Sequence, residues 1–372
     1  MRKMGKSGKS GLMGALDSHT RNIYETLKMF DETAAASLER TDWKEVIKLG
    51  EEIAKQATVA GILWTGEAPK VTELEESMGV YFNMLNGLLL LCHGSTVGAG
   101  PTLHASICAS TKQMIESSLS FLRAAVLSYE NPSSGQRQTI PTLVGLVWES
   151  CQALKTTPTN NPTAIGRKII QVAASVKDVL REMKELKPAD ETRANQTGED
   201  HDTRPDAEAE ATVDDDEGES STASDIGSNL SPQEMVIAAS VILVASDTLQ
   251  YIKELLRFVT ALSKKPDVAN STSVVVSLEN LLQICEKIGV QIDELGASVY
   301  PPQETSLMNT AVRKLVECIE RTRAEVQSFD TMPEGLSQVC QALENSLNKL
   351  ESDLGCLDQE RVPEIHKLHL NT

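Results

Sequence analysis

The sequence predicts an all-α protein, two helical bundles joined by a disordered acidic linker, on three observations. Aromatic residues make up only 3% of the 372 residues, and Leu, Val, Ile, Ala and Met supply nearly all the apolar content. That mixture suits helix-on-helix packing better than a β-sandwich. Apolar residues recur at helical steps of three and four in both halves, each helix carrying one buried stripe. Between the halves, residues 188–229 hold fourteen acidic residues against two basic ones, Arg193 and Arg204, which is −12 of the net −18. The centre of this stretch, "EAEATVDDDEGESSTASD", has almost no large apolar residue. Nothing there offsets the entropy of ordering the chain.

The expected organisation is a flexible basic tail (1–13), a first bundle (14–187), the acidic linker (188–229), a second bundle (230–357) and a C-terminal tail (358–372). Helices are expected in the first bundle near 14–36, 41–65, 71–93, 102–130, 140–156 and 162–187. Ile115, Leu119, Leu122 and Val126 mark the inward stripe of the fourth; Ile169, Val172, Val176, Val179 and Met183 mark that of the sixth. Asn161 is placed to cap the sixth, with Pro162 at its first helical position. The glycine-rich "GSTVGAGP" at 94–101 is expected to be a turn between helices.

After the linker, "SPQE" is a helix start signal: Ser231 caps, Pro232 enters the first turn, and Glu234 reaches back as a capping box. This helix should run to about residue 264, with Leu249, Ile252, Leu256 and Val259 facing inwards. The next, near 272–298, carries Leu281, Ile284, Ile288, Ile292 and Leu295 and stops at Tyr300-Pro301-Pro302. Proline removes a backbone donor and forces the preceding residue to extend, so this tripeptide is a hinge. Two more helices near 303–328 and 334–354 complete a four-helix, up-and-down bundle.

Composition also excludes function classes. A net charge of −18 disfavours general binding to nucleic acid phosphate. Seven cysteines, an odd number with no Cys-x-x-Cys pair, point to reduced thiols in the cytosol or nucleus. "MRKMGKSGKSG" lacks the apolar stretch of a signal peptide. The longest apolar run, Met235 to Ala245, is half the roughly 20 residues of a membrane span, so a soluble protein with no membrane partner is expected.

No motif asks for chemistry. "GKSGKS" at 5–10 lacks the glycine a P-loop needs five residues earlier, where Lys3 stands. His366 and His369 share a helical spacing, but no Cys or carboxylate is placed to complete a metal site. "VECIE" at 316–320 nearly matches a retinoblastoma-pocket peptide, yet that peptide binds extended and this stretch reads as mid-helix. No catalytic residue, cofactor or metal is expected, and no enzyme. Thr212 and Thr222 each precede an acidic residue by three, the pattern of an acid-directed kinase. The linker is either a plain spacer or regulated through these threonines.

The most informative pattern lies near the end. Leu336, Leu343, Leu350 and Leu357 recur every seven residues, with Cys340, Leu347 and Leu354 between them, an a/d seam of three heptads. It serves either as the core stripe of a bundle helix or as a short zipper for another chain, in a homo- or heterodimer. Leu336, Leu343, Leu347, Leu350, Leu354 and Leu357 are therefore the candidate partner-binding residues. Joined by "FDTMPE", the last two helices resemble a helix–loop–helix. The preceding "QIDELGASVYPP" is acidic and proline-broken where a DNA-binding version carries a basic helix. If such a pair dimerises with helix–loop–helix factors, it should sequester them and not bind DNA alongside them.

Four stretches carry a family resemblance: "VWESCQ" at 147–152, "VKDVLREM" at 176–183, "ASVYPP" at 297–302 and "AVRKLV" at 311–316. They resemble the cyclin D-binding protein family, also described as Grap-and-cyclin-D-interacting or Maid-homologue proteins. The resemblance implies helical halves like the bundles of the talin and vinculin rods. It implies a regulator of nucleus and cytoplasm that binds D-type cyclins, lowers kinase output towards retinoblastoma protein and restrains the cell cycle. It also implies dominant-negative pairing with transcription factors. The leading expectation is a non-enzymatic interaction protein; the alternative is a cytoskeletal or signalling adaptor of the talin or vinculin type.

Overall fold

The structure, a computed structural model, describes residues 6–35, 37–65, 70–130, 134–188, 229–264, 271–327, 329 and 333–368. Ten α-helices carry the described chain: α1 Lys6–Leu27, α2 Trp43–Thr65, α3 Val71–Gly94, α4 Pro101–Glu130, α5 Ser134–Thr156, α6 Asn161–Met183, α7 Pro232–Leu262, α8 Thr272–Ser298, α9 Thr305–Gln327 and α10 Glu334–Leu368. A short 3-10 turn, Lys28–Asp31, ends α1. The one strand pairing among the described residues joins Lys187–Pro188 in parallel to Asn229–Leu230, so the two flanks of the acidic segment lie side by side. The protein is all-α, and the acidic segment lies between two helical parts.

Contacts group the chain into two compact units, residues 1–168 with 259–282 and residues 169–258 with 283–372. This grouping places residues 169–183 of α6 with the second unit, whereas the sequence placed the whole helix in the first bundle. The reason is a pair of glycine notches. Val172 and Val179, seven residues apart on α6, face Gly289 and Gly296, seven apart on α8. A Cβ on these glycines would fall 2.9 Å from Val172 Cγ1 and 2.5 Å from Val179 Cγ1. Only hydrogen at those positions lets the two helices approach this closely.

In unit 1, α4 packs on α5, α2 packs on α3, α4 and α5, and α1 packs on α3 and α4. Their shared core includes Leu12, Leu16, Ile53, Trp64, Tyr81, Phe82, Leu85 and Phe121. Tyr81 is fully buried and its hydroxyl donates to Ser118 Oγ at 3.1 Å, which satisfies the polar tip of a core ring. Helix α1 begins eight residues before the expected start at 14, and Leu12 and Leu16 are buried on it. Tertiary burial of these leucines outweighs the low helix propensity of Gly8, Gly11 and Gly14. Helix α5 likewise starts ahead of Pro141, and α10 continues past Gly355.

The turn 95–100 between α3 and α4 is held from a distance. Gly98 has φ +70°, the left-handed region where glycine is at ease. Asn161 Nδ2 donates to Gly98 O at 2.9 Å, while its Oδ1 accepts the Gly100 N–H at 2.7 Å. Asn161 is thus not the cap of α6. Asn160 is, since its Oδ1 accepts the Thr163 N–H at 2.9 Å. Either asparagine had the right chemistry, and the neighbouring turn took the second.

In unit 2 the expected capping box is present: the Ser231 N–H and hydroxyl donate to Glu234 Oε2 at 2.9 and 2.8 Å, and the Glu234 N–H returns to Ser231 Oγ at 3.3 Å. Helix α7 is long and apolar enough to cross a membrane by length and composition, and half of its most apolar stretch is buried within the protein. Tyr251 at its centre is fully buried and donates to Thr322 Oγ1 on α9 at 2.5 Å. Ser240 donates to Asp353 Oδ2 on α10 at 2.6 Å. After α8 the chain turns through Tyr300-Pro301-Pro302 as expected, and buried Gln303 fixes that turn by donating to Val299 O and Glu234 O, each at 3.0 Å.

Candidate interaction surface

Among the described residues, many buried polar groups are spent on structure, while Trp64 Nε1, Ser128 Oγ, Thr248 Oγ1, Gln291 Oε1 and Gln303 Oε1 are buried without a hydrogen-bond partner. Burial pushes the thiols of Cys92 and Cys285 up to about 12 and that of Cys340 to about 11. Cys108, Cys151 and Cys318 are raised by the same cause. These sulfurs stay protonated and are poor nucleophiles. Among the described residues, no three His, Cys, Asp or Glu side chains converge to hold a metal. "VECIE" is helical within α9 with Cys318 and Ile319 buried, so it cannot be presented extended. "GSTVGAGP" forms the end of α3 and the turn already described. Thr212, Thr222 and His369 lie outside the described residues, and of the side chains of His366 and Leu357 nothing is described.

The heptad seam faces inwards. Leu336, Leu343, Leu347, Leu350 and Leu354 are all buried, together with Cys340. They are core residues of unit 2, and a partner chain reaches them only if α10 leaves its place. Helix α10 is also tied to α9 by a fork of Arg323 on Glu344, with Arg323 Nη2 donating to Oε2 at 2.9 Å and Nη1 to Oε1. Paired, hydrogen-bonded Glu344 raises the Arg323 guanidinium. The seven-residue spacing of the leucines reflects the buried stripe of a bundle helix, which has the same period as a zipper.

Exposed apolar side chains occur on several helices of both units, and one group of them lies on α2 and α5 of unit 1. Val59 is 58% exposed, Ile62 68% and Trp148 37%. Ala57 and Gly61 turn the inner face of α2 to the core; a Cβ on Gly61 would sit 3.0 Å from Val144 Cγ2 of α5, so the two helices nearly touch. That close approach sets Thr58 beside Trp148, whose indole N–H donates to Thr58 Oγ1 at 3.0 Å. Two turns along, Lys155 on α5 pairs with Glu51 on α2 at 2.8 Å. Mutual pairing lowers the Glu51 carboxyl and raises the Lys155 ammonium. The result is an apolar patch around a fixed indole with a charged rim at one end, the anatomy of a protein-binding surface.

No local motif in the sequence marks this patch. Trp148 stands out in the sequence only through a family resemblance. A signal was present in "VAGILW" at 59–64: six consecutive apolar residues cannot all fit on the buried side of one helix. Which of them face outwards depends on where α3 and α5 sit, and that is tertiary information.

The class of protein so defined is an all-α protein whose helices form two compact units. The description "Grap2 and cyclin-D-interacting, N-terminal" matches residues 45–189, and "Grap2 and cyclin-D-interacting, C-terminal" matches residues 213–324. A relative from Xenopus laevis, Cyclin-D1-binding protein 1 homolog, is 22% identical over 298 residues, covering 79% of this chain and 82% of its own. The chain belongs to the Grap2 and cyclin-D-interacting family. The family's description names interaction with Grap2 and cyclin D.

Proposed function

We propose that this protein binds D-type cyclins without catalysis, and that the α2–α5 patch centred on Trp148 is the surface it uses. The observation that carries the reading is an exposed indole held by Thr58 of α2, a helix that also exposes Val59 and Ile62, within the segment matched by the family's N-terminal description. Tryptophans in this setting are enriched among the residues that dominate binding energy. Occupying a cyclin in this way lowers the output of its kinase, restrains the cell cycle and with it transcription, and requires the protein wherever the cyclin is, in cytoplasm and nucleus. No contact with nucleic acid or membrane enters the mechanism. Pairing with helix–loop–helix factors, or dimerisation through the 336–357 leucines, is a second mode that needs α10 to be released first. Burial of the seam favours the cyclin mode.

Calorimetric titration of the full chain with a purified D-type cyclin tests the reading. Trp148→Ala should weaken binding by about 30-fold, the value of an anchor worth about 2 kcal/mol. Ile62→Glu, on a mostly exposed side chain, should weaken it without changing the circular dichroism or the melting point. Unchanged affinity in both variants refutes this surface. Leu343→Asp with Leu350→Asp should unfold unit 2, where both side chains are buried, so a loss of binding with circular dichroism intact would count against the α2–α5 surface.

A further inference from the structure

Unit 1 contains a second feature with recognition chemistry, an open cleft at the start of α2. Its volume is about 380 Å3, and its walls include Arg40, Trp43, Lys44, Ile47, Ile107 and Thr159. The strand of chain that carries Arg40 is fixed against the end of α3. The Thr41 N–H donates to Gly94 O at 3.2 Å, and Ser95 Oγ donates to Thr41 O at 3.3 Å. A Cβ on Gly94 would fall 2.3 Å from Thr41 Oγ1, so this approach requires glycine. Arg40 itself donates through Nε to Ser95 O at 3.3 Å and through Nη2 to Thr159 O at 2.8 Å.

A guanidinium has five N–H donors, so three are left. Among the described residues no carboxylate pairs with Arg40. Burial lowers the guanidinium from its ordinary value, as happens to a cation that loses water without gaining an anion. Asp42, the acid on the same wall, is already engaged: its Oδ1 accepts the Lys44 N–H at 3.0 Å, and its Oδ2 lies 4.0 Å from Lys44 Nζ. Arg40 and Lys44 against Asp42 leave the cleft a net positive charge in a chain of net −18. Its apolar side is equally defined. The Trp43 indole N–H is spent on Leu154 O at 2.9 Å, so the ring offers the cleft only carbon, beside Ile47 and Ile107.

We propose that this cleft docks an acidic side chain of a partner peptide, the anion taken by the remaining donors of Arg40 with Lys44 at the mouth, and the adjoining apolar residue seated on Trp43, Ile47 and Ile107. Charge complementarity selects the occupant, and carboxylate and phosphate share the required chemistry. The two backbone bonds position the guanidinium for this role. They do not use up its charge.

The test is fluorescence anisotropy of the full chain with three short fluorescein-labelled peptides that differ at one residue beside a leucine: glutamate, phosphoserine or glutamine. The glutamate or phosphoserine peptide should bind about ten- to a hundredfold more tightly than the glutamine one, and added salt should erode the difference. Preference for glutamate or for phosphoserine tells the two sources of the anion apart. Arg40→Gln should abolish the discrimination. Because that change also removes two structural bonds, Lys44→Glu serves as the second variant: its side chain is 87% exposed, and it should weaken the acidic peptides while leaving the glutamine peptide and the melting point unchanged. Equal binding of all three peptides, no binding of either acidic peptide at millimolar concentration, or Lys44→Glu without effect on a folded protein overturns the proposal.

Discussion

Replacing Gly296 with alanine separates packing from propensity more cleanly than any other change in the protein. On an exposed helix surface, Gly→Ala stabilises by about 1 kcal/mol, because glycine forfeits more backbone entropy on folding. At Gly296 the new Cβ would arrive 2.5 Å from Val179 Cγ1, against an ordinary carbon–carbon contact of about 3.5–4.0 Å. Helices α6 and α8 must therefore move apart by about 1 Å, and overpacking of that size costs about 1–3 kcal/mol. The net change is a loss of up to about 2 kcal/mol, or about 2–4 °C of melting point for each kcal/mol in a unit of this size. Gly79 and Gly145 are helical glycines with nothing within 4 Å of the added Cβ, and alanine there should stabilise. Val179→Ala removes the obstructing methyls, so Gly296→Ala in that background should recover most of its loss, a coupling readable in a double-mutant cycle by urea unfolding. If Gly296→Ala stabilises the protein as much as Gly79→Ala does, the packing of α6 on α8 is wrong.

Thiol titration should divide the cysteines by burial. In the native protein only exposed Cys356 should react rapidly with a thiol reagent at mildly alkaline pH, followed by half-buried Cys108, and Cys356→Ser should remove the fast phase; all seven should react after denaturation. For Asp293, burial raises the carboxyl above its ordinary value despite the Ser175 hydroxyl at 3.4 Å. The folded state thus holds this proton more tightly than the unfolded one, so the contribution is complete below the unfolded value and is lost as pH rises through the folded one. Asp293→Asn should accordingly stabilise unit 2 at neutral pH and make little difference at pH well below the ordinary carboxyl range. A destabilised Asn variant at neutral pH would contradict the assigned cause.

Local signals were legible in the sequence because their chemistry is local. Ser231 and Glu234 cap α7 as a reciprocal box, and Tyr300-Pro301-Pro302 ends α8, since neither depends on a distant neighbour. The start of α1 was hidden because glycines at 8, 11 and 14 argue against helix, while the burial of Leu12 and Leu16 that overrides them is visible only after folding. Gly289 and Gly296 illustrate the same divide. Two mid-helix glycines seven apart announce a close neighbour, but nothing local names α6 as that neighbour. The heptad leucines admit two readings for a physical reason: a two-helix seam and a bundle core impose the same period, and burial of Leu336, Leu343, Leu347, Leu350 and Leu354 fits the core. The exposure of Trp148 and Ile62 was not legible in the sequence, because exposure of an apolar residue cannot be read from its type.

We propose that the folded protein meets its partner with the α2–α5 face while the leucine seam stays inside. Hydrogen–deuterium exchange of the full chain with and without a D-type cyclin addresses this directly. Slower exchange on cyclin binding around residues 58–65 and 141–149, with residues 334–354 of α10 unchanged, is the result expected. Faster exchange along α10 with no protection on α2 or α5 would mean that the seam opens to receive the partner and that the α2–α5 face is not the binding surface.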